Sequence, residues 1–202
     1  MKIDIPTLKA VIAKKGYKWF DDQPNLIAIR TTLQIPDVFN DPLFIVYKKD
    51  GVEQLYSAMI TTEPGTTYQK KLLNAKGVWV MMPAQMINAY KSGFHQSKPD
   101  HRCLQSLGKI YGLREDDKDG VLFNDKDAVP TWQEGSTIGA NIHGAYHKDN
   151  IDETKVVGPW SAGCQVHARW SKKEEMMNII DSYKAVNKGW ITYTLLEEKD
   201  FV

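Results

Sequence analysis

Two adjacent segments of this chain have the composition of β-strands and are separated by a tight turn. Residues 43–48 and 52–61 are rich in β-branched and aromatic side chains, and Lys-Asp-Gly lies between them at residues 49–51. Glycine adopts a positive φ without strain, and short connections between antiparallel strands commonly require that conformation. The pattern therefore predicts a β-hairpin.

Other segments on both sides of this hairpin have the same character. They are short and are bounded by glycine, proline or polar residues, as strands in β-rich domains are. The further predicted strands are residues 26–32, 77–82, 106–113, 137–142 and 190–196. No internal repeat accompanies them, so the pattern indicates one β-rich domain and not a repeat array.

Helical spacing of apolar residues is limited to the two ends of the chain. Residues 5–16 carry such a stripe and end at a glycine. Near the other end, Ser171 and Glu174 have the spacing of a capping box that begins a second helix. We therefore predict a mainly β (α+β) fold, with a helical element in residues 1–25 and a single β-rich domain, closed by a late capping helix, in residues 26–202.

Composition excludes several classes of function. The chain has 26 lysines and arginines against 25 aspartates and glutamates, a net charge of +1, so we expect no nucleic-acid partner. No apolar stretch approaches the roughly 18 residues of a membrane span, so we expect none. The first six residues, MKIDIP, lack the apolar run of a signal peptide, and we expect synthesis in the cytoplasm without one.

Two short segments concentrate the groups that a cysteine nucleophile needs. GANIHG, residues 139–144, supplies the imidazole of His143, and WSAGC, residues 160–164, supplies the thiol of Cys164. A nearby imidazole accepts the proton of the thiol and stabilises the thiolate. We therefore expect a stabilised thiolate at Cys164 and faster alkylation there than at Cys103.

The glycines of these segments predict how the site is built. Gly163 permits a tight turn whose backbone N–H groups bind the oxyanion of an acyl intermediate. On a strand that ends at Gly144, Asn141 and His143 project to the same face, so Asn141 is a candidate to orient the imidazole or the substrate. Trp160 and His95 are further candidates to line a substrate groove.

The two segments together resemble a known signature. His143-Gly144, followed by 16 residues and then Ser161-Ala162-Gly163-Cys164, is similar to the H-G and S-H-G-C motif of the L,D-transpeptidase catalytic domain, also called the YkuD family. The spacing between the two halves lies within the range of that family. The surrounding sequence, including TTEPG at residues 61–65, resembles a divergent branch that is associated with phage and prophage genes.

The resemblance implies a mainly β catalytic domain in which Cys164 attacks the bond between an L-centre and a D-residue, with His143 as the base. It also implies that the Gly144 carbonyl holds the imidazole tautomer. The amides of Gly163 and Cys164 would form the oxyanion hole, with Ser161 in a supporting role. Peptidoglycan stem peptides would be the partner, no cofactor would be needed, and the cell wall would be the site of action.

Two positions differ from the pattern of the family. Ala162 stands where a histidine usually precedes the glycine, and Val166 stands where an arginine commonly follows the cysteine by two. The nucleophile and base remain, whereas a substrate or structural anchor is lost. Transfer to an amine and hydrolysis both stay open, as does the oligomeric state.

Two alternatives use the same part of the chain. His143, His147, Cys164 and His167 supply nitrogen and sulfur ligands that suit zinc, which predicts a zinc-dependent hydrolase or a zinc-stabilised domain. A cell-wall-binding module that keeps the fold without catalysis is the other alternative. Metal analysis and the reactivity of Cys164 distinguish these hypotheses.

Overall fold

The structure is a computed structural model that describes residues 3–33, 35, 37–96, 98–145 and 152–202. Strands form 40% of the chain and helices 22%, so the predicted mainly β character is confirmed. The strands are β1 (Asn25–Arg30), β2 (Asp41–Lys49), β3 (Val52–Thr61), β4 (Val78–Met81), β5 (Ala84–His95), β6 (Lys98–Ser106), β7 (Lys109–Glu115), β8 (Thr131–Glu134), β9 (Ile142–Gly144), β10 (Gln165–His167) and β11 (Trp190–Glu197). The helices are α1 (Ile5–Lys14), α2 (Thr66–Lys70), α3 (Gly135–Ile138), α4 (Trp170–Asp181) and α5 (Lys184–Asn187).

Eight strands close into a barrel in the order β1-β11-β5-β6-β9-β10-β3-β2, and a separate three-stranded sheet has the order β4-β7-β8. The predicted hairpin is the β2–β3 pair, whose register runs from Asp41 opposite Ile60 to Lys49 opposite Val52. Asp50 and Gly51 form its turn with φ values of 52° and 78°. Positive φ at both central residues matches the twist of the flanking strands.

Strand β1 is buried on both faces. Leu26 and Ala28 belong to the main core, whereas Ile27 and Ile29 contact a second cluster that includes the apolar side of α1. Helix α1 begins at Asp4, whose carboxylate accepts a hydrogen bond from the Thr7 N–H at 3.0 Å. The N-terminal helix therefore packs directly on the outside of the barrel.

Two predictions for the middle of the chain were wrong in their boundaries, and one strand pair was missed. The predicted strand 106–113 is divided at Gly108, because the backbone N–H of this residue turns to the Ala89 carbonyl between β6 and β7. The predicted strand 137–142 is mostly α3, which ends at Gly139 with a φ of 73°, and β9 begins only at Ile142. The long β5–β6 pair was not predicted.

The late helix is confirmed as α4, but the capping box is not formed. Ser171 donates its backbone N–H and its hydroxyl to the Asp152 carboxylate at 2.7 and 3.0 Å. Glu174 instead pairs with Arg102 of β6 and with Lys173. The carboxylate that begins the helix thus comes from another segment. Among the described residues, no helix is both long and apolar enough to cross a membrane.

Candidate active site

Parallel pairing of β9 and β10 brings the two predicted motifs together. Val166 lies beside His143 in this register, and the Gln165 N–H donates to the Asn141 carbonyl at 2.9 Å. Because side chains alternate along a strand, Cys164 and Val166 project to the same face as His143. Cys164 and His143 both line a cleft of about 530 Å³, a volume typical of small-molecule and peptide sites.

The turn before Cys164 can be formed only by glycine. Gly163 has a φ of 131°, and a Cβ atom on it would lie 2.7 Å from both the Cβ and the carbonyl oxygen of Trp79. Backbone conformation and the neighbouring strand β4 therefore both exclude a side chain. This close approach fixes the position at which Cys164 enters the cleft.

Ser161 supports the same turn from within the protein. It is fully buried, and its hydroxyl lies 2.7 Å from the Cys164 carbonyl, to which it donates. The Gly163 N–H donates to the same hydroxyl oxygen at 3.2 Å. The Gly163 N–H, which the sequence led us to expect in an oxyanion hole, donates to Ser161 in this structure. Within the described part of the chain, the Cys164 N–H has no backbone acceptor.

His143 is held in one orientation by the backbone that follows it. Its Nδ1 lies 2.9 Å from the Gly144 carbonyl oxygen, the contact that the family resemblance implies. A proton on Nδ1 donates to that carbonyl and leaves the Nε2 lone pair free to accept another. Burial lowers the pKa of His143 to about 4, as do the nearby His95 and Lys173, against the Gly144 hydrogen bond, which raises it. The imidazole is neutral at pH 7 and can act as a base.

Helix α4 supports the residue that orients the imidazole. A Cβ atom on Gly144 would lie 3.2 Å from the Trp170 ring and 3.5 Å from the Lys173 side chain, so the first turn of α4 packs closely on this backbone. Lys173 is fully buried, with its ammonium 3.5 Å from the centre of the Trp170 ring and paired with Glu174. The ion pair that the buried Lys173 forms with Glu174 therefore lies near His143, and Lys173 contributes to lowering the pKa of His143.

The surroundings of Cys164 favour the thiol over the stabilised thiolate that the sequence led us to expect. Burial raises the pKa of Cys164 to about 11, although a hydrogen bond from the Asn141 backbone opposes this shift. The Sγ atom lies 3.5 Å from the Gly139 carbonyl oxygen, to which a thiol can donate. Cys103 is fully buried, and burial raises its pKa to about 12.

Alkylation should distinguish the two thiols. We expect iodoacetamide to modify Cys164 before Cys103, because Cys164 is partly exposed in the cleft and has the lower pKa. The rate at Cys164 should rise about tenfold per pH unit from pH 7 to 10, since only the thiolate reacts. Peptide mapping of timed samples measures both rates. A rate that is already constant near pH 7 would show a preformed thiolate and contradict this assignment.

The structure brings some of the other predicted site residues to the cleft. His95 and Trp160 line it, together with His101, whose ring centre is 5.6 Å from that of His143. Asn141 does not line it, because its side-chain oxygen accepts a hydrogen bond from the Ser106 N–H at 3.0 Å. The Asn141 side chain therefore stabilises the fold next to the cleft and does not line it.

Of the four residues of the zinc alternative, the three that the structure describes, His143, Cys164 and His167, are not brought together. His167 lies on the opposite face of β10 from Cys164, and its Nε2 contacts the Met176 sulfur at 3.3 Å. His147 lies outside the described residues. Among those that are described, no group of three or more histidine, cysteine, aspartate or glutamate side chains has the geometry to hold a metal ion.

Four residues of the site were not found from the sequence. Trp79 and Arg114 reach the cleft from the separate three-stranded sheet, and Trp170 and Lys173 support it from α4. Each belongs to a segment with an ordinary strand or helix pattern. Their role depends on the packing of that sheet and helix against the barrel, for which the sequence carries no local signal.

The chain was compared with known proteins in three ways. A scan against protein-family models, a search of curated proteins and a search of solved structures each give no match.

Proposed function

We propose that this protein is a cysteine-nucleophile enzyme of the L,D-transpeptidase type, acting on peptidoglycan stem peptides as a transpeptidase or as an L,D-carboxypeptidase or endopeptidase. The observation that carries the proposal is the shared face of β9 and β10, from which Cys164 and His143 line one cleft. The motif around these two residues supports the L,D-transpeptidase-like fold and the substrate class. The cell wall, where this substrate is found, is the proposed site of action.

The neutral states of the two groups favour attack assisted by a general base. As the Cys164 sulfur attacks the carbonyl carbon next to the D-residue, the Nε2 of His143 takes the thiol proton. Collapse of the tetrahedral intermediate breaks the C–N bond, and the leaving amine takes the proton from His143. A thioester at Cys164 remains. Water or an amine then attacks the thioester, its proton passes to His143, and the thiol is regenerated.

The oxyanion that develops in both steps needs hydrogen-bond donors close to Cys164. The Cys164 N–H has no backbone acceptor among the described residues, whereas the Gly163 N–H is bound to Ser161. The Cys164 amide is thus the donor that this mechanism assigns to the oxyanion. Rigid packing of Gly163 against Trp79 keeps that amide in position.

Product analysis of digested peptidoglycan tests the proposal. Purified sacculi are incubated with the protein in ¹⁸O-labelled water, with and without an added amine such as glycine, and protein-free samples serve as the blank. Hydrolysis should break the bond between the acyl residue and the D-residue and place ¹⁸O in the new carboxyl group. Transpeptidation should instead join the acyl group to the amine. Mass spectrometry identifies both products.

Three outcomes would count against the proposal. Absence of any new product would favour the binding module, which a sedimentation assay with the same sacculi would detect. Activity that is lost on chelation, in a protein that contains stoichiometric zinc, would favour the metal hypothesis. Cleavage at a bond between two L-residues would contradict the assigned specificity.

A further inference from the structure

Arg114 is separated from the turn at Gly163 and Cys164 by the Trp79 side chain. It is paired with Trp79 in the β4–β7 register, and its guanidinium is 5.9 Å from the centre of the Trp79 ring. The Trp79 backbone in turn contacts Gly163, next to Cys164. Arg114 also lines both the main cleft and an adjoining cavity of about 410 Å³. A charged group is therefore present at the junction of the two spaces.

The charge of Arg114 is not neutralised by a carboxylate of the described residues. The structure describes all four arginines of the sequence, and three of them form ion pairs. The pairs are Arg30 with Glu63, Arg102 with Glu174 and Asp181, and Arg169 with Glu153. Arg114 instead donates from Nη1 to the Gly77 carbonyl at 2.6 Å. Burial lowers its pKa, with no acidic neighbour to oppose the shift.

Acidic side chains are scarce among the described residues around Arg114. No aspartate or glutamate of the described chain lines the main cleft, and Asp127, which lines the adjoining cavity, forms no ion pair with Arg114 there. Trp79 is 3% exposed, and its indole N–H has no hydrogen-bond partner within the described residues. Buried donors are seldom left unpaired in folded proteins. Arg114 and the Trp79 indole are therefore donors on this wall that no carboxylate of the described residues pairs with.

We propose that Arg114 binds a free carboxylate of the donor peptide and so selects substrates that carry one beside the scissile bond. The guanidinium keeps N–H groups that the Gly77 contact does not use, and its planar fork matches a carboxylate. Such an ion pair replaces the hydration that Arg114 loses in its half-buried position. This inference rests on the proposed function and concerns the substrate class of the same cleft.

A stem peptide offers two free carboxylates that Arg114 could bind. One is the terminal carboxylate of the leaving D-residue, and the other is a side-chain carboxylate on the neighbouring acyl residue. A requirement for the terminal carboxylate would restrict the protein to uncross-linked ends, as a carboxypeptidase or transpeptidase. A requirement for the side-chain carboxylate would allow endopeptidase activity as well.

Three synthetic donor peptides separate these sources. One has both carboxylates free, one has the terminal carboxylate amidated, and one has the side-chain carboxylate amidated. Binding is measured by calorimetry on the Cys164→Ala variant, which does not turn the peptides over, and kcat/KM is measured with Cys164 intact. Amidation of the recognised carboxylate should weaken binding about 10- to 100-fold, the usual range for a charged hydrogen-bonded pair.

Arg114→Gln should produce the same loss for the fully free peptide and no further loss for the amidated one. This non-additivity shows that the two groups interact directly. Arg114→Lys should recover part of the affinity, because it keeps the charge without the fork. Arg169→Gln, which removes an exposed guanidinium away from the cleft, is the matched control and should leave binding unchanged. Circular dichroism confirms that each variant is folded.

The results separate the two proposals. Turnover of all three peptides at equal rates, unchanged by Arg114→Gln, would overturn the role of Arg114 and leave the proposed function intact. Arg114-dependent binding without turnover in the protein that retains Cys164 would overturn the proposed function and leave carboxylate recognition intact. Absence of both binding and turnover would overturn both.

Discussion

The Cys164→Ala variant should release stem-peptide fragments from peptidoglycan at least about 10³-fold more slowly than the wild type. Removal of the sulfur eliminates the thioester intermediate, and no other group in the mechanism forms a covalent bond to the substrate. Cys103→Ala is the matched control. Cys103 is fully buried with a pKa of about 12, and it does not line the cleft. Chromatography of the released fragments measures both rates.

The comparison is informative only if both variants are folded. Cys103→Ala removes a buried sulfur and should lower the melting temperature, whereas Cys164→Ala acts at a partly exposed position and should change it less. Rates are therefore compared well below both melting temperatures. Wild-type activity in Cys164→Ala would contradict the proposed nucleophile, and an equal loss in both variants would indicate a structural effect.

Replacement of His143 should have the second largest effect. We expect His143→Ala to lower kcat by about 10² or more, the usual contribution of a positioned general base. In the wild type, His143 must be deprotonated to accept the thiol proton, and its pKa is about 4. Activity should therefore increase as the pH rises through about 4 and remain nearly constant to about pH 10, because Cys164 stays a thiol in that range.

Two controls accompany the pH profile. His167→Ala, which changes a histidine on the opposite face of β10, should retain measurable activity. The residual activity of His143→Ala should not show the decrease below about pH 4 that is expected for the wild type. A decrease in wild-type activity centred near pH 6.5 would show that the base is a solvated imidazole. It would contradict the assignment of the buried His143 as the base.

Acid should also weaken the folded state, so activity at low pH is measured only where near-ultraviolet circular dichroism is native. Burial lowers the pKa of His143 to about 4 and that of His167 to about 3, whereas a histidine in the unfolded chain titrates near 6.5. Below about pH 6.5 the unfolded state binds more protons than the folded state. The free energy of unfolding therefore decreases as the pH falls through this range.

Local sequence patterns were sufficient for several elements of the fold. The β2–β3 hairpin follows from two strand-like segments and a turn with Gly51, and α1 follows from an apolar stripe that ends at a glycine. These features depend on neighbouring residues and on backbone conformation. The motif residues Cys164 and His143 were identified in the same way, through residue types and the glycines beside them.

The long β5–β6 pair shows where local patterns fail. Its pairing depends on contacts between residues such as Phe94 and Arg102 and on the neighbouring strands of the closed barrel. The capping box predicted for α4 was wrong for a related reason. The Ser171 N–H donates to the Asp152 carboxylate and not to Glu174. Partners that are distant along the chain compete with nearby ones, and only the folded arrangement decides between them.

Short-range patterns were enough to predict the mainly β character of the protein and its hairpin, and they single out Cys164 and His143 as a candidate pair. The pKa shifts of these two side chains depend instead on how the folded chain buries them. Burial raises the pKa of Cys164 to about 11 and lowers that of His143 to about 4, which no spacing of residues predicts. Tertiary structure also decided the position of Arg114, because the three-stranded sheet must pack against the barrel before that charge reaches the cleft.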